Sequence, residues 1–145
     1  MIRLGKARKA ALLAQMPLFS TCSRHQLGMV TELVVHDQLA AGTVLTREDA
    51  SGGVAYLLVS GQAEVRRGGR RLAVLGPGDI VGELSLIDGR PRSATVTAVS
   101  DVEVLEIDGR DLRRLLRRVP AVTRKLLEAM AGRVRQADTL PRAGL

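Results

Sequence analysis

The stretch Gly76-Pro77-Gly78-Asp79-Ile80-Val81-Gly82-Glu83-Leu84-Ser85-Leu86-Ile87-Asp88-Gly89-Arg90-Pro91-Arg92-Ser93-Ala94 gathers residue types that can hold an anion. Its early glycines allow tight turns and close approach of backbone to a ligand. Glu83 to Ile87 are expected to form one short helical turn, closed by Asp88-Gly89. The first amides of such a turn have no internal partner and carry partial positive charge, which suits a phosphate. Arg92, expected to return on a strand, can offer a guanidinium fork to the same anion. Glu83 is out of place beside an anion unless it has a separate task. Two tasks fit: accepting a hydrogen bond from a ribose hydroxyl, as acidic residues do in dinucleotide sites, or pairing with a neighbouring arginine.

Other chemistry is weaker. Gly76-Pro77-Gly78 with Gly82 imitates a dinucleotide fingerprint, but the spacing is one residue too long and proline sits inside it. No lysine and hydroxyl pair follows a glycine loop, so a Walker-type site is not expected. His25 and His36 are the only histidines, and neither falls in the glycine-rich stretch, so no metal site is expected. Cys22 and His25 lack an orienting third group, and their closeness is read as incidental. No catalytic set emerges, and the chain is not expected to be an enzyme.

The elements that must position the stretch follow from composition and pattern. The chain has 145 residues, 46% of them hydrophobic, with a formal charge of +7. This is enough for one domain with its own core. Phe19 and Tyr56 are the only aromatics, so the core must be aliphatic. Residues 1–33 read helical, with Pro17 breaking a first helix and Ser23 capping a second, whose face carries Leu27, Val30 and Val34. Residues 34–107 read as short strands, with Arg67-Gly68-Gly69-Arg70 as a hairpin turn. Residues 108–138 read as two helices, starting near Asp108 and Pro120, and 139–145 as a tail. The expected fold is mainly β: a β jelly roll (double-stranded β-helix) with an N-terminal helical segment and two C-terminal helices, all one domain.

Gly82-Glu83-Leu84-Ser85-Leu86, followed by Pro91-Arg92-Ser93-Ala94, resembles the phosphate-binding cassette of cyclic nucleotide-binding domains. These are the ligand-binding modules of the catabolite activator protein and protein kinase A regulatory subunits. Gly61, Leu75-Gly76-Pro77-Gly78-Asp79 and Pro17-Leu18-Phe19 extend the likeness over roughly residues 12–137, with the cassette at 78–94. The inventory agrees: a 3′,5′-cyclic nucleotide has one phosphate charge and a free 2′-hydroxyl. The resemblance implies a ligand-binding set of Val81, Gly82, Glu83, Leu84, Ser85, Arg92, Ser93 and Arg133. Glu83 would hold the 2′-hydroxyl. The backbone of Gly82, Leu84 and Ser85, with Arg92 and Ser93, would hold the phosphate. Residues 120–138 resemble the helix that closes over the ligand, with Arg133 near the phosphate. Ala137 departs from the family, standing where a hydroxyl residue touches the base, and the last helix has no aromatic cap.

The expected function is therefore a non-catalytic regulatory module that binds cAMP in preference to cGMP, needs no cofactor and shifts its C-terminal helices on binding. It would act on a protein effector in trans. Two alternatives stand beside it. One is a relative of transcription regulators without a helix-turn-helix, since the chain stops at Leu145 about where that module would begin. The other is a ligand-free protein that dimerises through the apolar side of Val122 to Val134, a stripe otherwise packed on the barrel. The positive charge is nearly all arginine and is read as solvated surface, so specific DNA binding is not expected. Lone Cys22, the lack of a signal peptide and the lack of a membrane span suggest a cytoplasmic protein.

Overall fold

The flanks are helical and the middle is strand, following the two periodicities of the sequence. The computed structural model describes residues 4–139, and the side chains of Leu84 and of 136–139 fall outside the description. The readings placed on the Ala137 side chain and on the tail beyond Thr139 therefore lie outside the described residues. Helix α1 (Lys6–Ala14) stops short of Pro17, because Met16 takes the extended backbone that a following proline imposes (φ −84°, ψ 136°). A 3-10 turn, Pro17–Phe19, then buries Leu18 and Phe19. Helix α2 (Arg24–Leu33) begins on Ser23, whose hydroxyl accepts from Gln26 N while the Gln26 side chain accepts from Ser23 N. Such a reciprocal cap contributes about 1 kcal/mol.

Val34 corrects one expectation. It does not continue the α2 face of Leu27 and Val30. It is extended (φ −104°, ψ 143°) and opens strand β1 (Val34–Leu39). Its register partner is Ile107, on a neighbouring strand. A β-branched residue suits that buried sheet position better than a helix end.

Two antiparallel four-stranded sheets face each other, giving the mainly β roll with flanking helices. One runs β1, β8 (Val102–Asp108), β3 (Val54–Ser60), β6 (Ile80–Val81); the other runs β2 (Val44–Thr46), β7 (Thr95–Ala98), β4 (Ala63–Arg67), β5 (Arg70–Leu75). Strand β8 is buried on both faces. Val102 and Val104 meet Leu58, Val81 and Val96 between the sheets, whereas Leu105 and Ile107 meet Leu13, Val30, Leu112 and Val122 on the helical side. Each such side chain stabilises by about 1.5–3 kcal/mol when fully buried. The β4–β5 hairpin turns through Gly68 and Gly69, both at positive φ (55° and 79°). That geometry matches the right-handed twist of the strands.

Between β6 and β7 lies the short helix α3 (Glu83–Asp88). After β8 comes α4 (Gly109–Arg118), capped by the Asp108 carboxylate, which accepts from Arg110 N. Leu112 and Leu115 are its buried stripe, and the C-cap residue Val119 is buried beyond them. Helix α5 (Pro120–Thr139) follows. Its apolar side divides. Val122 and Leu126 are buried and Met130 is partly so, but Leu127 and Val134 stand 61% and 62% exposed.

Candidate functional site

The cassette is built outward from β3. Strand β6 pairs with it at Leu57↔Ile80 and Tyr56↔Val81. The turn before β6 is tied down by Asp79, whose carboxylate accepts from Gly76 N at 2.9 Å. Gly78 N donates to Leu58 O, and Leu58 N donates to Asp79 O. Gly82 then takes a left-handed backbone (φ 85°) and launches α3 with no side-chain cap on its first amides. Gly89, also left-handed (φ 72°), closes the helix. The short turn and its glycine stop are where the sequence places them.

Arg92 does not lie on a strand. It sits in the loop before β7, because its backbone is taken by a different loop: Arg92 N donates to Ala50 O, and Asp49 N donates to Arg92 O. Its side chain is 7% exposed. Nη1 donates to Gly82 O and Nη2 to Val54 O, each at 2.6 Å. Burial pushes the guanidinium below its ordinary pKa, while the charges of Tyr56 and Glu83 pull it back up. No carboxylate forms an ion pair with Arg92 among the described residues.

Glu83 is 2% exposed. Of the two tasks open to it, the structure displays pairing with an arginine, and the arginine comes from α5. Arg133 Nη1 donates to Glu83 Oε1 at 2.7 Å, and Arg133 Nη2 donates to Ile80 O at 3.0 Å. The last helix is thereby bolted to both β6 and α3. Ser85 is buried. Ser93 is exposed, and its carbonyl accepts from Arg67 Nε at 2.9 Å.

These groups converge on one small pocket of about 80 Å³ that opens to solvent. Val81, Gly82, Glu83, Ser85, Arg92, Ser93 and Arg133 all line it. Of the sequence-derived set only Leu84 is not among the lining residues, and its side chain is outside the description. The opposite wall is apolar: Val65, Leu75 and Val96, with Thr46 beside them. Sequence reasoning missed this wall. Only strand alternation at Ala63-Glu64-Val65 and Thr95-Val96-Thr97 signals it, and alternation does not distinguish a pocket wall from core. It also missed Arg113 of α4, whose Nη1 donates to Leu86 O at 2.9 Å and clamps α3. The arrangement offers a buried cation, a buried carboxylate and an apolar wall in one cleft. Such a cleft suits a small ligand with an anionic end, a hydroxyl and a flat apolar part.

The discarded motifs are elsewhere. Cys22 is partly buried, and burial pushes its thiol up, away from a nucleophile's range. His36 meets Glu103 at 2.8 Å across β1 and β8. Among the described residues no three metal-ligating side chains cluster, and no helix is long and apolar enough to cross a membrane.

Comparison with known proteins agrees with this geometry. The family model for the cyclic nucleotide-binding domain matches residues 36–119, more than half of the chain. The cyclic AMP receptor protein of Thermus thermophilus is 35% identical over 127 residues, covering 84% of this chain and 59% of that protein. A putative potassium channel protein of Rhodopseudomonas palustris is 34% identical over 127 residues, covering 85% of this chain and 31% of that protein. The regulatory domain of Toxoplasma gondii protein kinase A, solved with cAMP, superposes with a TM-score of 0.68 at 32% identity, covering 76% of this chain and 44% of that one. The chain spans less than two thirds of the length of each of these relatives.

Proposed function

The chain belongs to the cyclic nucleotide-binding domain family, and from that premise we propose that its pocket binds cAMP, in preference to cGMP, as a regulatory signal. One observation carries the reading. Among the described residues, Arg92 is a buried cation with no carboxylate in ion-pair contact, and it lines the same cleft as the buried Glu83 carboxylate. A buried guanidinium whose direct partners are carbonyls rather than a carboxylate is costly, by several kcal/mol before relaxation. A ligand phosphate supplies the missing anion. The backbone amides of Gly82, Leu84 and Ser85, with Arg92 and Ser93, hold that phosphate. Glu83 accepts from the ribose 2′-hydroxyl while keeping Arg133.

The base lies against Val65, Leu75 and Val96, which carry no polar group for the extra amino and carbonyl groups of guanine. The Thermus receptor protein and the Toxoplasma regulatory domain carry cAMP in their names, which supports the same choice. The module performs no chemistry on the nucleotide. Its output is the position of α5, which Arg133 ties to Glu83 and therefore to the ligand. Partner action follows in trans, in the cytoplasm, through coupling of about 1–3 kcal/mol.

Exposed Leu127 and Val134, one heptad apart on α5, favour a second reading of the output: a copy of the same helix packs there. Light scattering with and without nucleotide tests that pairing. Calorimetric titration with cAMP and cGMP tests the main reading. Micromolar or tighter binding of cAMP supports it, and binding of neither nucleotide in the high-micromolar range contradicts it.

A further inference from the structure

The guanidinium of Arg92 lies in a slot between two glycines. A Cβ on Gly82 would fall on Nη1, and a Cβ on Gly52 would fall on Nε and Cζ and within 2.6 Å of Nη2. Gly82 already needs to be glycine for its φ of 85°. Gly52 has no such backbone requirement, so the guanidinium alone accounts for the missing side chain. Its neighbour Gly53 is the contrast, since a Cβ there meets nothing within 4 Å. The loop from β2 to β3 is folded around Arg92. Asp49 donates its N–H to Arg92 O from a left-handed backbone (φ 67°) that no other non-glycine residue adopts among those described. That conformation is uncommon for a residue with a side chain.

In the slot, two donors of the fork are spent on protein carbonyls, Gly82 O and Val54 O. An anion in the pocket must compete with them. Arg92 lines the pocket and Gly52 does not, so the guanidinium lies between Gly52 and the ligand. We propose that Gly52 is a positioning residue that sets ligand affinity: lacking a side chain, it lets Arg92 settle onto the loop and commit a donor to Val54. The proposal rests on the cyclic nucleotide reading above. A single methyl at residue 52 presses on the far end of a flexible side chain rather than on backbone. Arg92 yields by changing rotamer, releases Val54 O and moves its fork toward the pocket. Preorganising the fork in this way removes a cost that the ligand otherwise meets.

The test is calorimetric titration of the parent, Gly52→Ala and Gly53→Ala with cAMP, with folding checked by circular dichroism. Gly52→Ala is expected to bind roughly three- to tenfold more tightly, a fraction of one charge-assisted hydrogen bond. Gly53→Ala stays within about twofold of the parent. In an Arg92→Lys background the gain disappears, since lysine has no fork to release. A Gly52→Ala protein that binds no more tightly than the parent overturns the proposal. So does one that fails to fold, because the slot then does not yield, and so does a gain that survives Arg92→Lys. A parent that binds no nucleotide overturns the cyclic nucleotide reading and this proposal together. A parent that binds, with a variant that does not tighten, overturns this proposal alone.

Discussion

Replacing Arg133 by alanine removes the bolt between α5 and the cassette. The bond lost is 2.7 Å long, and it joins a guanidinium that is 40% exposed to a carboxylate that is 3% exposed. Breaking a fully buried ion pair by deleting one partner costs about 3–5 kcal/mol, and a fully exposed pair is worth at most about 1 kcal/mol. Water reaches Arg133 but not Glu83, so the expected cost falls between, at about 1.5–3 kcal/mol. Ile80 O loses a donor as well. A loss of that size lowers the melting temperature by roughly 4–12 °C in a domain of this length. Urea denaturation followed by circular dichroism measures it. The cycle with Glu83→Gln and the double variant isolates the pair, with an expected coupling of about 1 kcal/mol or more. An Arg133→Ala protein within about 0.5 kcal/mol of the parent, with no coupling to Glu83, refutes the claim that this contact holds α5.

Two further outcomes are expected. Gly82→Ala forces a side chain into a left-handed backbone and onto Arg92 Nη1. It should destabilise by about 1–3 kcal/mol and weaken cAMP binding, read by denaturation and calorimetry. Glu106 supplies a pH signature. Burial, then the charge of Asp37 and a hydrogen bond with its carboxyl group, hold Glu106 above the usual carboxylate range. The folded protein therefore binds more protons than the unfolded chain between the ordinary and the raised pKa, and this contribution to stability is lost as pH rises through that window. Glu106→Gln should flatten the fall of the urea midpoint as pH rises above the ordinary carboxylate range, and an unchanged slope contradicts the assignment.

How much was legible depended on how local each signal is. The α3 turn needs only Gly82 and Gly89 for its two left-handed ends, and both are written in the segment itself. Ser23 and Asp108 cap helices within three residues of themselves, so they too can be read directly. Val34 misled because one apolar residue fits a helical face and a strand start equally well, and only its pairing with Ile107 decides. Arg92 looked like a strand residue because its backbone partners, Asp49 and Ala50, belong to a loop whose path no periodicity reveals. Gly52 carries no local sign at all, since its meaning comes from a guanidinium forty positions away. The α5 stripe reads as continuous, but Val122 and Leu126 are buried while Leu127 and Val134 remain exposed.

Arg92 is the proposed phosphate partner. Calorimetric titration of the parent and Arg92→Ala with cAMP tests that directly, with circular dichroism confirming the fold. Losing a charge-assisted fork worth about 1.5–3 kcal/mol predicts affinity weakened by roughly 10- to 150-fold. A folded Arg92→Ala protein that binds cAMP as tightly as the parent contradicts the account.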